Sequence, residues 1–228
     1  MNADIHMDWI FHILQEMGLA LRLPVSFVLI EFVGTFAFAL SGVRLASAKQ
    51  FDIFGAWIVG MATAIGGGTM RDIMLGVNPF WMTNSSYFIC CALAVLSVVF
   101  LGKYLIRVNN TWFIFDTIGL ALFNVIGIEK TLNMGFPYWT AITMGSITGA
   151  AGGVIRDVFI NEVPLIFRKE IYALACVAGG VVYATCHYMG LSLEINAMLS
   201  IASVVVIRML AVRYQWRLPV LKGEEQSK

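Results

Sequence analysis

The chain has 228 residues, 59% of them apolar and 13% charged, with a formal net charge of +1. A soluble domain carries about 45–50% apolar and 25% charged residues, so an ordinary water-soluble globule is excluded. The overall balance says little about partners, and no nucleic acid partner is expected; the placement of the charges says more.

Residues 1–23 read as an extracytoplasmic segment. Asp4 and Asp8 stand where a secretory signal needs basic residues. Trp9, Ile10, Ile13, Leu14 and Met17 have the pattern of a short amphipathic helix lying on the membrane surface ahead of Pro24. A poorly ordered tail is the competing reading.

About twenty apolar residues cross a bilayer as a helix. Seven stretches meet that requirement, at about 25–46, 53–75, 86–105, 112–129, 137–160, 170–189 and 193–212. The chain is therefore expected to be an all-α membrane protein with short connections. Arg44, Lys49, Lys103, Arg107, Arg168, Lys169, Arg208, Arg213, Arg217, Lys222 and Lys228 fall on one side of this layout. Only Arg22 and Lys130 fall on the other. By the positive-inside rule the N-terminus is outside and the 214–228 tail cytoplasmic.

The strongest signal is internal. Shifting the chain by 85 residues aligns 31–91 with 116–176 without a gap. Gly34/Gly119, Phe38/Phe123, Gly42/Gly127, Gly60/Gly145, Thr63/Thr148, Gly67/Gly152, Gly68/Gly153, Arg71/Arg156, Asp72/Asp157, Pro79/Pro164 and Tyr87/Tyr172 all match. Glu31 against Asp116 keeps an acid. Each copy holds three spans, an odd number, so the second copy (109–192) enters the membrane from the opposite face to the first (24–108). The expectation is a 3+3 inverted repeat with a seventh helix, 193–213, as a brace. Such repeats place transport sites near the midplane, where discontinuous helices meet.

Gly66, Gly67 and Gly68, and then Gly149, Gly152 and Gly153, make spans two and five easy to bend, at about 1 kcal/mol of helix propensity each. An unwound turn frees carbonyls that lipid cannot satisfy but that a cation can use. Spacing by four in Gly60-Ala64-Gly68 and Gly145-Gly149-Gly153 also fits close helix packing. Thr63, Thr69, Ser146 and Thr148 flank the glycines, to line a polar path or to bond back to their own helices. Arg71 and Arg156 are charges at depth, which call for partners. Glu31–Arg71 and Asp116–Arg156 pairs are expected, with Asp72 and Asp157 competing. Trp81, Tyr87, Trp112, Trp139, Tyr214 and Trp216 read as interfacial anchors. Cys90, Cys91, Cys176 and Cys186 read as small apolar residues, and no metal cluster, cofactor or catalytic triad is expected; the protein does not read as an enzyme.

The segments Gly66 to Asp72 and Gly152 to Asp157, within seven spans and a doubled three-helix unit, resemble the bacterial relatives of the trimeric intracellular cation (TRIC) channels. That bacterial family is also described as a glycine-transporter family. The resemblance covers about residues 24–212. It implies kinked second and fifth helices lining a pore in each protomer of a homotrimer. It further implies conduction of monovalent cations, potassium first and sodium second, in a bacterial inner membrane. Ala151 stands where the first copy has Gly66, so the second bend is expected to be milder. An alternating-access carrier of a small amino acid such as glycine is the alternative reading, and a membrane scaffold a third.

Overall fold

Seven helices occupy the seven apolar stretches. In the computed structural model, which describes residues 25–107, 111–168 and 171–219, α1 runs Val25–Ala48, α2 Ile53–Met74 and α3 Ser86–Arg107. The second set is α4 Thr111–Asn133, α5 Tyr138–Phe159 and α6 Ala173–Tyr188, followed by α7 Leu193–Arg213. The expected surface helix before Pro24 lies outside the described residues. The helix ends follow local chemistry. Asp52 caps α2 by accepting the Gly55 amide at 2.7 Å. Pro79 and Pro164 open single 3₁₀ turns, Phe80–Met82 and Leu165–Phe167.

Length and hydropathy together separate the helices. α1, α2, α4 and α7 are long and apolar enough to cross a membrane on that evidence alone. α6 has only 16 residues, or about 24 Å at 1.5 Å per residue, against a hydrocarbon core of about 30 Å. This is shorter than the expected 170–189, because Tyr172 turns out of the helical conformation (φ −114°, ψ −81°).

The repeat is visible in the packing. α1 packs on α2 as α4 packs on α5, and α1 meets α4 and α2 meets α5 across a central axis. The Phe38 and Phe123 rings, one from each copy, stack at 5.4 Å with 13° between planes. A Cβ on Gly34 would meet Phe123 at 3.3 Å, and one on Gly119 would strike Phe38. Such reciprocal contacts are what a two-fold relation between two antiparallel halves demands. Backbone turns repeat as well. Gln50 (φ 60°) matches Gly135 (φ 83°), and Gly76 (φ 71°) matches Asn161 (φ 55°), each 85 residues on. The left-handed turn belongs to the fold, and glycine fills it only half the time.

α7 breaks the symmetry. It packs against α6 and α4, with Ser200 Oγ donating to the Gly179 carbonyl at 2.8 Å and Val204 filling the space over Gly179. α3 leans mainly on α1, whereas α6 is drawn toward α5 and α7.

Candidate functional site: the crossing of α2 and α5 and its two charged ends

The axis runs through the crossing of α2 and α5. A Cβ on Gly67 would overlap the Thr148 carbonyl oxygen, and one on Gly152 would overlap the Thr63 carbonyl oxygen. Only glycine allows the two backbones to touch in this way. Its neighbours face elsewhere: Gly66 faces the Ile155 side chain and Gly68 the Phe80 ring. Three adjacent glycines thus admit three different neighbours around one helix. In the second copy Gly149 faces the Leu120 carbonyl and Gly153 the Tyr172 hydroxyl.

The expected unwinding is not seen. Both helices are continuously helical through their glycines, so the backbone carbonyls stay within the helical ladder. The close-packing account of the glycines is the one the geometry carries, and it extends to the adjacent pairs. Ala151, which replaces Gly66 in the second copy, sits in an unbroken helix. The hydroxyls agree with this closed arrangement. Thr63 bonds to Val59 O at 2.6 Å, Thr148 to Met144 O at 2.6 Å, Thr69 to Ile65 O at 2.7 Å and Ser146 to Ile142 O at 2.9 Å. All four turn back on their own helices.

At each end of the crossing the Arg-Asp pair acts as a staple. Asp72 Oδ1 takes the Arg71 Nε–H at 2.7 Å, and Oδ2 takes the Phe80 amide at 2.9 Å. Asp157 repeats this with Arg156 Nε at 2.9 Å and the Leu165 amide at 3.0 Å. One carboxylate thereby ties the last helical turn to the loop that follows. Arg71 and Asp72 are fully buried, as is Arg156. A buried charge needs such partners to be tolerated.

The expected Asp116–Arg156 pair is present, with Nη1 to Oδ1 at 2.5 Å. Ser41 Oγ accepts a second Nη1 bond at 2.8 Å. The expected Glu31–Arg71 pair is not formed. Asp72, the adjacent competitor, takes Arg71, and Lys130 Nζ joins Asp72 at 2.9 Å. Glu31 Oε2, both Arg71 Nη atoms and the Tyr87 hydroxyl are buried without a hydrogen-bond partner. In the second copy the hydroxyl equivalent to that of Tyr87, on Tyr172, donates to Asp116 at 3.4 Å.

Each end also receives a second cation that has no charged counterpart under the 85-residue shift, and neither was expected as a partner. Lys130 and Arg208 read as charges that set membrane orientation, yet the Lys130 side chain is only 14% exposed and Arg208 is fully buried. Arg208 Nη2 lies 3.9 Å from Asp116 Oδ2, and its guanidinium sits 4.9 Å from the rings of both Phe113 and Tyr172. Glu31, Asp72, Arg71 and Lys130 are formally neutral together, as are Asp116, Asp157, Arg156 and Arg208. The reading of all six aromatics as anchors needs correction for two. Tyr87 is buried against Phe32 and Phe80, and Trp112 lies 5.8 Å from the Arg156 guanidinium carbon. Trp139, Tyr214 and Trp216 remain exposed.

A cavity borders the second cluster at Asp157. It has a volume of about 230 Å³, lies between the ends of α1 and α5, and is lined by Asp157, Trp112, Lys49 and Glu162. The Lys49–Glu162 ion pair at 2.6 Å spans it, and Arg168 approaches Glu162 at 3.4 Å. A larger cavity, about 360 Å³, opens beside Arg208.

The chain is similar to known proteins in sequence and fold. A family model described as glycine transporter matches twice, over residues 28–103 and 113–188, again 85 residues apart. The inner membrane protein YadS of Escherichia coli K12, a UPF0126 protein, is 37% identical over 87% of this chain and 98% of its own length. A UPF0126 membrane protein of Vibrio cholerae is 41% identical over 96% of this chain and 92% of its own. Among solved structures, the TRIC channel orthologue of Rhodobacter sphaeroides superposes with a TM-score of 0.77 at 30% identity, covering 84% of this chain and all of that one. A prokaryotic TRIC channel solved in 0.5 M KCl gives 0.76 at 29% identity, over 84% and 98%.

Proposed function

The chain belongs to the bacterial branch of the TRIC channel family, also described as a glycine-transporter family, and from that premise we propose that it conducts monovalent cations across a bacterial inner membrane. The carrying observation is the α2–α5 crossing itself. Two equivalent helices from oppositely inserted halves touch through Gly67 and Gly152, and each ends in a neutralised charge cluster. Where the two backbones meet at Gly67 and Gly152 no interlocked side chains have to be withdrawn for them to part. The solved structures described as TRIC channels support cation conduction as such.

In this reading the present arrangement is non-conducting. A path opens when α2 and α5 part, exposing Thr63 and Thr148 and their neighbouring carbonyls. Arg71 and Arg156 brace the two ends; a guanidinium beside a cation path opposes occupancy, so bracing suits it better than ion binding. Potassium is the ion, the protomers form a homotrimer with one pore each, and the C-terminus is cytoplasmic. Planar-bilayer recording of the purified protein in potassium chloride tests this directly. Unitary currents are expected, and a silent bilayer with correctly reconstituted protein would overturn the proposal.

One observation favours a second reading, a carrier of a small amino acid. Both Nη atoms of buried Arg71 lack a protein partner, which suits a carboxylate, and the matching family model is described as a glycine transporter. Saturable glycine counterflow without unitary currents would select it. Neither signal would leave the scaffold reading.

A further inference from the structure

The two ends of the crossing are built from the same trio: an acid on the first helix of the repeat, an arginine on the second and a tyrosine at the start of the third. In the second repeat the trio is joined. Arg156 Nη1 meets Asp116 Oδ1 at 2.5 Å, and the Tyr172 hydroxyl donates to Asp116 at 3.4 Å. In the first repeat Glu31 lies beside Tyr87 and within electrostatic reach of Arg71, yet both Arg71 Nη atoms stay without an acceptor. Asp72 does not use up the guanidinium, because it engages only the Nε edge. Asp157 engages Arg156 in the same way while Asp116 holds Nη1, so two acids can share one arginine. Nor is length the obstacle, since glutamate exceeds aspartate by a methylene.

The repeats differ in the residue that opens the 3₁₀ turn. Phe80 and Leu165 correspond under the 85-residue shift, and their amides bond Asp72 and Asp157 alike. A Cβ on Gly68 would meet the Phe80 ring at 2.5 Å. Tyr87 packs edge-on against that ring at 4.5 Å, and the Arg71 guanidinium carbon stands 5.8 Å from it. In the second repeat the tyrosine itself covers the matching glycine: a Cβ on Gly153 would meet the Tyr172 hydroxyl, with Asp116 Oδ1 at 3.4 Å. We propose that the Phe80 ring is a wedge holding the Arg71 end apart. When the ring withdraws this end closes, with Glu31 on Arg71 and the Tyr87 hydroxyl over Gly68.

The parts that close are tied to one another. Phe32 of α1 stacks on Tyr87 at 5.0 Å, and Cys90 Sγ donates to the Phe32 carbonyl at 3.8 Å, so the Glu31 turn of α1 and the start of α3 travel together. The brace α7 stands on the other repeat, against α6 and α4. Closure joins two opposite charges in a buried place and gives the Tyr87 hydroxyl an acceptor, at the expense of the ring's packing. The Arg71 end is thus the one that changes, and the Arg156 end is the fixed one, whichever solute the protein moves.

Thermal unfolding of the full-length protein in neutral detergent tests the wedge, and needs neither currents nor solute flux. Phe80→Leu places in the first repeat the residue that the second carries. In that background Glu31→Gln is expected to lower the melting temperature by several degrees more than in the parent, because it then breaks an ion pair. Asp116→Asn, at the opposite end of the crossing, is expected to cost the same with and without the ring. The reciprocal Leu165→Phe is expected to shrink the Asp116→Asn loss, and decides the matter where Phe80→Leu does not fold. A Glu31→Gln loss of equal size in both backgrounds, or an equal enlargement of both losses, would overturn the proposal. In the reciprocal variant an unchanged Asp116→Asn loss would do the same.

Discussion

The Lys130 ammonium lies 2.9 Å from Asp72 Oδ1, where the equivalent carboxylate in the second repeat, Asp157, has no lysine from the matching position. Residue 45, which corresponds to Lys130, is Leu45. The second half takes its extra cation from α7 instead, through Arg208 and Asp116. The two ends of the α2–α5 crossing thus reach the same formal neutrality by different connections.

That difference predicts unequal sensitivity. Asp116→Asn removes the main partner of a buried guanidinium, and breaking such a pair costs about 3–5 kcal/mol. Glu31→Gln removes a buried carboxylate that holds no ion pair and keeps the shape of the side chain, and is expected to cost less than Asp116→Asn does. Thermal unfolding of both variants in one detergent compares them. Equal losses would contradict the asymmetry.

The glycines should differ among themselves in the same graded way. Gly67→Ala and Gly152→Ala drive a Cβ into a backbone carbonyl of the opposite helix, and overpacking of this kind costs about 1–3 kcal/mol. Lower melting temperatures and a higher open probability in bilayers are expected, since α2 and α5 are wedged apart. Gly66→Ala meets only the Cδ1 tip of Ile155, at 2.5 Å, and should behave as the parent does.

Asp72→Asn and Asp157→Asn test the staple. Hydrogen exchange at the Phe80 and Leu165 amides respectively should accelerate, each change confined to its own repeat, because each amide bonds to that one carboxylate. Unaltered protection would mean that the 3₁₀ turns are held by other contacts.

At the loop beyond α5, Lys49 holds the Glu162 carboxyl below its usual value of 4.5 by hydrogen bonding and by charge. A depressed carboxyl stabilises the fold fully above its unfolded pKa and loses that contribution as pH falls through its folded value. The difference in melting temperature between the parent and Lys49→Ala should therefore be constant near neutrality and shrink below pH 4.5. The effect is small because the pair is exposed.

The sequence made the symmetric part of the fold legible. The 85-residue shift placed Arg156 opposite Asp116 because helix depth and register agree at both positions. The same logic failed for Glu31 and Arg71, where Asp72 lies nearer to the guanidinium than an acid on another helix. Lys130 and Arg208 stayed invisible as partners because neither has a charged counterpart under the shift. From sequence, a basic residue near a span end looks the same whether it faces water or turns inward. Continuous helices through Gly66–Gly68 were also unforeseen, since propensity reports how easily a helix yields and not what presses against it.

Because the two halves run antiparallel, a transmembrane voltage acts on their matched arginines in opposite local senses. The field that pushes Arg71 out past the end of α2 drives Arg156 back into the body of α5. A symmetric displacement of the two halves therefore cancels to first order, and a net response to membrane potential falls to charges the repeat does not match, Glu129, Lys130 and Arg208 among them.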